Sequence, residues 1–158
     1  MSRVGMVLAQ EAHIINILSP QDVSAGVSSD VFSLKNYSHA TIIVTAGSTN
    51  ADAGNVTIEE CDDFVPTTDT AITFDYYKEE TAGGDTLSGK QSATTAGIDV
   101  SGNDNITYVI EIDASQLSDG FPNLYLKWSA CGGATLGSAI AILTGPRYGG
   151  DQNATAIA

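Results

Sequence analysis

Apolar and polar residues alternate most regularly over residues 105–113, which read N-I-T-Y-V-I-E-I-D. Successive side chains of a β-strand point to opposite faces, so this run places its isoleucines and one tyrosine on a single face. Turn-forming residues lie on both sides of it, S-G-N-D before and D-A-S-Q-L-S-D-G after. The pattern predicts a central strand with one face in a hydrophobic core.

Shorter apolar or alternating runs recur along the chain, and turn formers separate them. They predict strands at residues 13–18, 31–34, 41–45, 55–60, 71–79, 86–91, 124–129 and 139–143. The run 41–45, T-I-I-V-T, is apolar on both faces, which indicates an interior strand. Pro20 and the pair Gly145-Pro146 predict the ends of the strands that precede them. Residues 114–120 predict one helical turn.

Eight or nine short strands without a long helix are typical of an all-β fold. The expected architecture is an antiparallel two-sheet β-sandwich, and jelly-roll and immunoglobulin-like topologies both fit the pattern. Its 158 residues suffice for one domain with a sizeable core. The predicted organisation is an N-terminal arm at residues 1–11, the sandwich at 12–146 and a C-terminal tail at 147–158.

The net charge of the chain indicates which classes of binding partner are expected. Nineteen acidic residues against six basic ones give a net charge of −13, and the basic residues form no stripe. Nucleic acid and anionic membrane surfaces are therefore not expected as partners. A tight partner should instead offer apolar or basic patches. Residues 1–20 lack the features of a signal peptide, and no apolar run reaches the length of a membrane span.

The residues that could carry chemistry do not form a recognised arrangement. His13 and His39 are the only histidines, and neither has the spacing of a zinc site. Glu111 and Asp113 share one face of the 105–113 strand, whereas glycosidases place their two carboxylates on opposing walls of a cleft. We therefore predict no catalytic residue, no cofactor and no metal site.

Three further features leave alternatives open. The acidic stretches with Glu59-Glu60-Cys61-Asp62-Asp63 and with Asn50, Asp52 and Asn55 offer calcium-type oxygen ligands, but not at a known spacing, so we interpret them as solvated turns. Cys61 and Cys131 are predicted to be free thiols, with a disulfide as the alternative. Aromatic side chains that could stack on carbohydrate are Tyr76, Tyr77, Tyr125, Trp128 and Tyr148.

The C-terminal third carries a family-level cue in three segments. They read I-T-Y-V-I-E-I-D-A-S-Q-L, D-G-F-P-N-L-Y-L and A-I-A-I-L-T-G-P-R-Y. Together they resemble small proteins encoded beside tailed-bacteriophage capsid genes, namely capsid decoration (cement) proteins or other minor virion proteins. Because such proteins are structural, the resemblance implies no catalytic residue and no cofactor.

The resemblance implies a virion protein that decorates the phage capsid and stabilises contacts between major capsid protein subunits. It would be made in the host cytoplasm, lie on the capsid surface and form a homotrimer or homodimer. The two terminal segments would reach across subunit joints, with Arg147 and Tyr148 as possible subunit contacts. The alternatives are a tail- or fibre-associated module that binds host glycans, and a sandwich hydrolase that uses Glu111 and Asp113.

Overall fold

Twelve strands build the protein in a computed structural model, which describes residues 5–147 and 156–157. A short helix α1 (Leu8–Glu11) precedes them, and a single 3-10 turn (Ala114–Gln116) lies between the tenth and eleventh. In chain order the strands are β1 (His13–Asp22), β2 (Val27–Ser28), β3 (Phe32–Ser33), β4 (Tyr37–Ala46), β5 (Asn55–Cys61), β6 (Asp69–Ala71), β7 (Phe74–Lys78), β8 (Gln91–Ala93), β9 (Ile98–Asp99), β10 (Ile106–Asp113), β11 (Asn123–Trp128) and β12 (Leu136–Pro146).

The strands form two antiparallel sheets. Sheet I has the order β1-β12-β4-β10-β7-β8, and sheet II has the order β2-β11-β5-β6, with β3 paired to β11 and β9 paired to β5. The chain therefore alternates between the sheets, and its first and last strands are neighbours. This arrangement is the jelly roll, so the structure decides between the two topologies that the sequence allowed.

One hydrophobic core lies between the sheets, and the predicted central strand runs through it. β10 pairs with β4 on one side and with β7 on the other. Its inward side chains, which include Ile110 and Ile112, are fully buried. Sheet II contributes Leu124, Leu126 and Trp128 from β11 to the same core. The β-sandwich prediction is confirmed.

Three elements differ from the sequence prediction. The expected strand at 71–79 is divided between β6 in sheet II and β7 in sheet I, because the chain crosses between the sheets at Ile72 and Thr73. β1 continues past Pro20 to Asp22, since it is an edge strand whose register shifts there, and an edge bulge tolerates a proline without an N–H donor. The weak strand predicted at 86–91 begins later, as β8.

The strand count also exceeds the eight or nine predicted, because several strands are only two or three residues long and show no alternation. Both cysteines are free thiols; Cys61 is buried and Cys131 is half-buried. None of the helices in the described part of the chain is long and apolar enough to cross a membrane.

Candidate interaction surface

The outer face of sheet I carries a continuous group of apolar side chains. In the register of the sheet, Ile140 of β12 lies opposite Ile43 of β4, Ile43 lies opposite Val109 of β10, and Val109 lies opposite Tyr77 of β7. Ile14 and Ile142 pair on the next rung. We call these six residues the apolar patch: Ile14, Ile43, Tyr77, Val109, Ile140 and Ile142.

The apolar patch is open to solvent in the described part of the chain. Ile14 and Ile140 expose 48% and 42% of their surface, and the other four members are half-buried. Directly opposed side chains on one sheet face lie about 5 Å apart, so the six form one surface rather than isolated contacts. Ile43 thus corrects the prediction of an interior strand at 41–45, because only one face of β4 is covered by the core. Contiguous exposed apolar patches usually mark binding surfaces.

A cluster around His39 borders the patch at one end of the sheet. His39 lies opposite Asp113 and Thr41 lies opposite Glu111, because β4 and β10 are antiparallel neighbours. His39 Nδ1 is 2.8 Å from Asp113 Oδ1, and His39 Nε2 is 2.7 Å from Glu111 Oε2. The Thr41 hydroxyl donates a hydrogen bond of 2.7 Å to the same Glu111 oxygen. We call these four residues the His39 cluster.

The His39 cluster favours the protonated imidazole. Burial by itself lowers the pKa of His39, but the hydrogen bonds to Asp113 and Glu111 and the charges of both carboxylates outweigh it, so the pKa is raised. An imidazolium can donate from both ring nitrogens, whereas a neutral ring can donate from only one. The cluster therefore holds one cation between two carboxylates and presents a net negative charge beside the apolar patch.

This electrostatic arrangement gives a pH prediction. Since the pKa of His39 is raised above 6.5 by folding, its contribution to stability is complete below pH 6.5 and is lost as the pH rises through the folded-state value. We expect the difference in unfolding free energy between the wild type and His39→Gln to shrink as the pH rises above 6.5. Urea unfolding at each pH measures it. A difference for His39→Gln that stays constant with pH would contradict the assignment.

The two carboxylates considered for a hydrolase, Glu111 and Asp113, are thus both hydrogen-bonded to one histidine. Glu111 and Asp113 lie on one face of β10, as the alternation predicted, and both contact His39. The sequence alone did not predict that His39 contacts both carboxylates, because the register of β4 against β10 is not visible in a single strand.

The described residues contain no group of three His, Cys, Asp or Glu side chains arranged to hold a metal ion.

Arg147 lies at the end of β12, and Tyr148 lies outside the described residues. Arg147 Nε donates a hydrogen bond of 3.0 Å to the Tyr37 carbonyl, and its backbone N–H donates to the Asn36 carbonyl. These contacts hold Arg147 against the start of β4, although the residue as a whole is exposed. Its predicted contact with another subunit stays a prediction.

A pocket of about 360 Å³ opens beside Arg147 at the same end of the sandwich. We call it the end pocket; its lining includes Leu34, Lys35, Leu117, Phe121, Pro122 and Arg147. Glu60 of β5 holds the loop on one side of it, since its Oε2 accepts a hydrogen bond of 2.8 Å from the Ser118 N–H. Glu60 is only 4% exposed, so its carboxylate is hydrogen-bonded to this loop rather than to solvent.

Two of the five aromatic residues proposed as carbohydrate platforms are buried. Trp128 is 1% exposed, and its Nε1 donates to the Ala53 carbonyl at 2.9 Å. Tyr125 is buried with its hydroxyl bonded to Asp69. Tyr76 packs its half-buried ring against the core, and only Tyr77 belongs to the apolar patch.

Comparison with known proteins adds one distant likeness. No family model and no curated protein matches the chain. A solved structure described as the crystal structure of SPBc2 prophage-derived protein YomS is similar at 10% sequence identity and a TM-score of 0.44. The similarity covers 84% of this chain and 93% of that chain. With a TM-score below 0.5, we base no functional conclusion on this likeness.

Proposed function

We propose that this protein is a non-enzymatic structural protein of a phage particle. It decorates the capsid surface and stabilises contacts between subunits of the major capsid protein. The observation that supports this function most directly is the apolar patch on the outer face of sheet I. The resemblance of residues 106–117, 119–126 and 139–148 to virion proteins encoded beside capsid genes supports the particle as its location.

The composition of the patch suits docking on another protein. Four of its six residues are isoleucine and one is valine, and β-branched side chains in a strand have few rotamers to lose on binding. A flat and rigid surface of this kind binds with a small loss of conformational entropy. The core of the patch is uncharged, so its burial against a capsid subunit would leave no charge unpaired.

The charges around the patch define the complementary surface. Glu111 and Asp113 of the His39 cluster border it, and the whole chain carries a net charge of −13. The docking surface on the major capsid protein would therefore be an apolar ridge with basic residues beside it. The same negative charge keeps unbound copies soluble, and many copies on one symmetric particle strengthen a weak single contact.

Capsid binding tests the function. Purified protein is mixed with expanded capsids that lack it, and bound protein is measured after sedimentation of the particles. We expect Ile140→Asp to weaken binding about 30-fold, since a central apolar contact in an interface is worth about 2 kcal/mol. Leu87→Asp is the matched control, because Leu87 is equally exposed but lies outside the patch. Equal binding by both variants would exclude the patch, and virions that lack the chain would exclude the function.

The location on the particle separates this function from the glycan-binding alternative. Density for the chain between capsid subunits supports decoration. Density on the tail or its fibres, together with binding to a host glycan, would instead support the alternative. Burial of Tyr125 and Trp128 leaves that alternative with few aromatic side chains on which a sugar could stack.

A further inference from the structure

The end pocket gathers two cations that lack a carboxylate partner. In the described ranges, Lys90 pairs with Asp75 and Lys127 pairs with Asp69, whereas no carboxylate lies within 4.0 Å of the basic groups of Lys35 or Arg147. Both of these residues line the end pocket. Asp119 also lines it, but lies beyond ion-pair distance of either cation. In a chain with 19 acidic residues, two unpaired cations at one pocket define a place for an external carboxylate.

About half of the wall of the end pocket is apolar. Leu34 is 1% exposed and forms the buried part of the lining, while Leu117, Phe121 and Pro122 are half-buried around it. A volume of about 360 Å³ accommodates a small aliphatic side chain together with a carboxylate. The pocket therefore fits a protein segment in which an acidic residue lies close to an aliphatic one.

The same chain presents such a segment at the turn between β5 and β6. Residues 62–66 read D-D-F-V-P, and Val65 is 79% exposed, more than any other large apolar residue in the described part of the chain. Asp63 is exposed two positions before it. We call residues 62–68 the acidic loop. Since Val65 is open to solvent, the loop does not fill the end pocket of its own chain.

Internal hydrogen bonds hold the acidic loop in one shape. The Asp62 carboxylate accepts hydrogen bonds from the N–H groups of Thr67 at 3.0 Å and Thr68 at 3.1 Å, and from the Thr67 hydroxyl. The Thr67 hydroxyl is the main reason that the pKa of Asp62 falls to about 2, so the loop keeps these bonds at neutral pH. Pro66 restricts the backbone further. A loop ordered in advance loses little entropy on binding.

We propose that the acidic loop of one copy of this protein binds in the end pocket of a second copy, with Val65 against Leu117 and Phe121, and Asp63 beside Lys35 and Arg147. The loop and the pocket are different surfaces, so the contact is head-to-tail. Both lie at one end of the sandwich, because Cys61 at the end of β5 pairs with Asn123 at the start of β11. This inference rests on the proposed function only in that it places the associating copies on a phage particle.

Sedimentation velocity over a concentration series, without capsids, tests the contact. We expect the wild type to associate as its concentration rises, and Val65→Ser and Lys35→Glu each to weaken association at least tenfold. Both residues are exposed, so neither change should alter the circular dichroism spectrum or the unfolding free energy. Leu87→Ser is the matched control, since it removes an exposed apolar side chain away from the loop and the pocket.

An equimolar mixture of the two variants identifies a head-to-tail contact. Val65→Ser keeps an intact pocket and Lys35→Glu keeps an intact loop, so the mixture should form one-to-one dimers that grow no further. A wild type that stays monomeric at all concentrations, or a mixture that forms no dimers, would overturn the proposal. Failure of the proposed function is recognised separately, because Ile140→Asp leaves the acidic loop and the end pocket intact while it weakens capsid binding.

Discussion

Gly97→Ala is expected to destabilise the protein by about 4 kcal/mol, a large share of the roughly 5–15 kcal/mol by which an ordinary domain is stable. Gly97 has a φ of +80°, a conformation that costs an L-residue about 1 kcal/mol or more. An added Cβ would also lie 2.2 Å from the Val56 carbonyl oxygen and 2.8 Å from its carbonyl carbon. The Val56 carbonyl belongs to the backbone of β5, which lies between two other strands of sheet II. No side-chain rotation can therefore relieve the clash.

A second glycine separates the two causes of the destabilisation, namely the positive φ and the clash of the added Cβ. Gly102 has a φ of +66°, but an added Cβ there would have no heavy atom within 4 Å. Gly102→Ala should therefore show the conformational cost alone, about 1 kcal/mol. Urea unfolding of both variants measures the difference. If Gly97→Ala is no less stable than Gly102→Ala, the close approach of Gly97 to Val56 is not a property of the folded protein.

Gly137→Ala is expected to cost about 3 kcal/mol through a clash with Trp128. A Cβ at Gly137 would lie 2.5 Å from Cζ3 and 2.8 Å from Cη2 of the indole. The ring cannot move aside freely, since it is 1% exposed and its Nε1 donates to the Ala53 carbonyl at 2.9 Å. Trp128 is the single tryptophan of the chain, so its fluorescence reports this site directly.

The measurement combines urea unfolding with the emission maximum of Trp128 in the folded state. We expect lower stability and a red shift, because the displaced indole becomes accessible to water. Gly89→Ala is the control, since an added Cβ there meets nothing within 4 Å and its φ is not positive. Unchanged emission and unchanged stability in Gly137→Ala would show that the indole does not lie on Gly137.

Gly137 supports the binding surface from behind, whereas Gly97 packs on β5 of the other sheet. Gly137 is in β12, the strand that also contributes Ile140 and Ile142 to the apolar patch. Close packing of Trp128 on Gly137 joins β11 of sheet II to β12 of sheet I across the core. Variants at these glycines should therefore lower capsid binding only in proportion to the loss of folded protein, unlike Ile140→Asp, which acts on the patch alone.

The class of the fold and the inner face of its best-patterned strand follow from local patterns of the sequence. The alternation of β10 is a local property, since each side chain points opposite to its neighbour whatever lies around it. The turn residues between runs are local in the same sense. An all-β sandwich and the burial of Ile110 and Ile112 could therefore be predicted from residues 105–113 and the similar runs elsewhere in the chain.

The strand order and the residues that form the candidate site are visible only in the tertiary structure. His39 reaches Glu111 and Asp113 across 72 and 74 residues of sequence, because the register of β4 against β10 places them together. In T-I-I-V-T, each face of β4 carries an isoleucine, and the packing of the sheets buries Ile42 and leaves Ile43 outside. A period of two assigns side chains to faces, but which face is covered depends on contacts between distant segments.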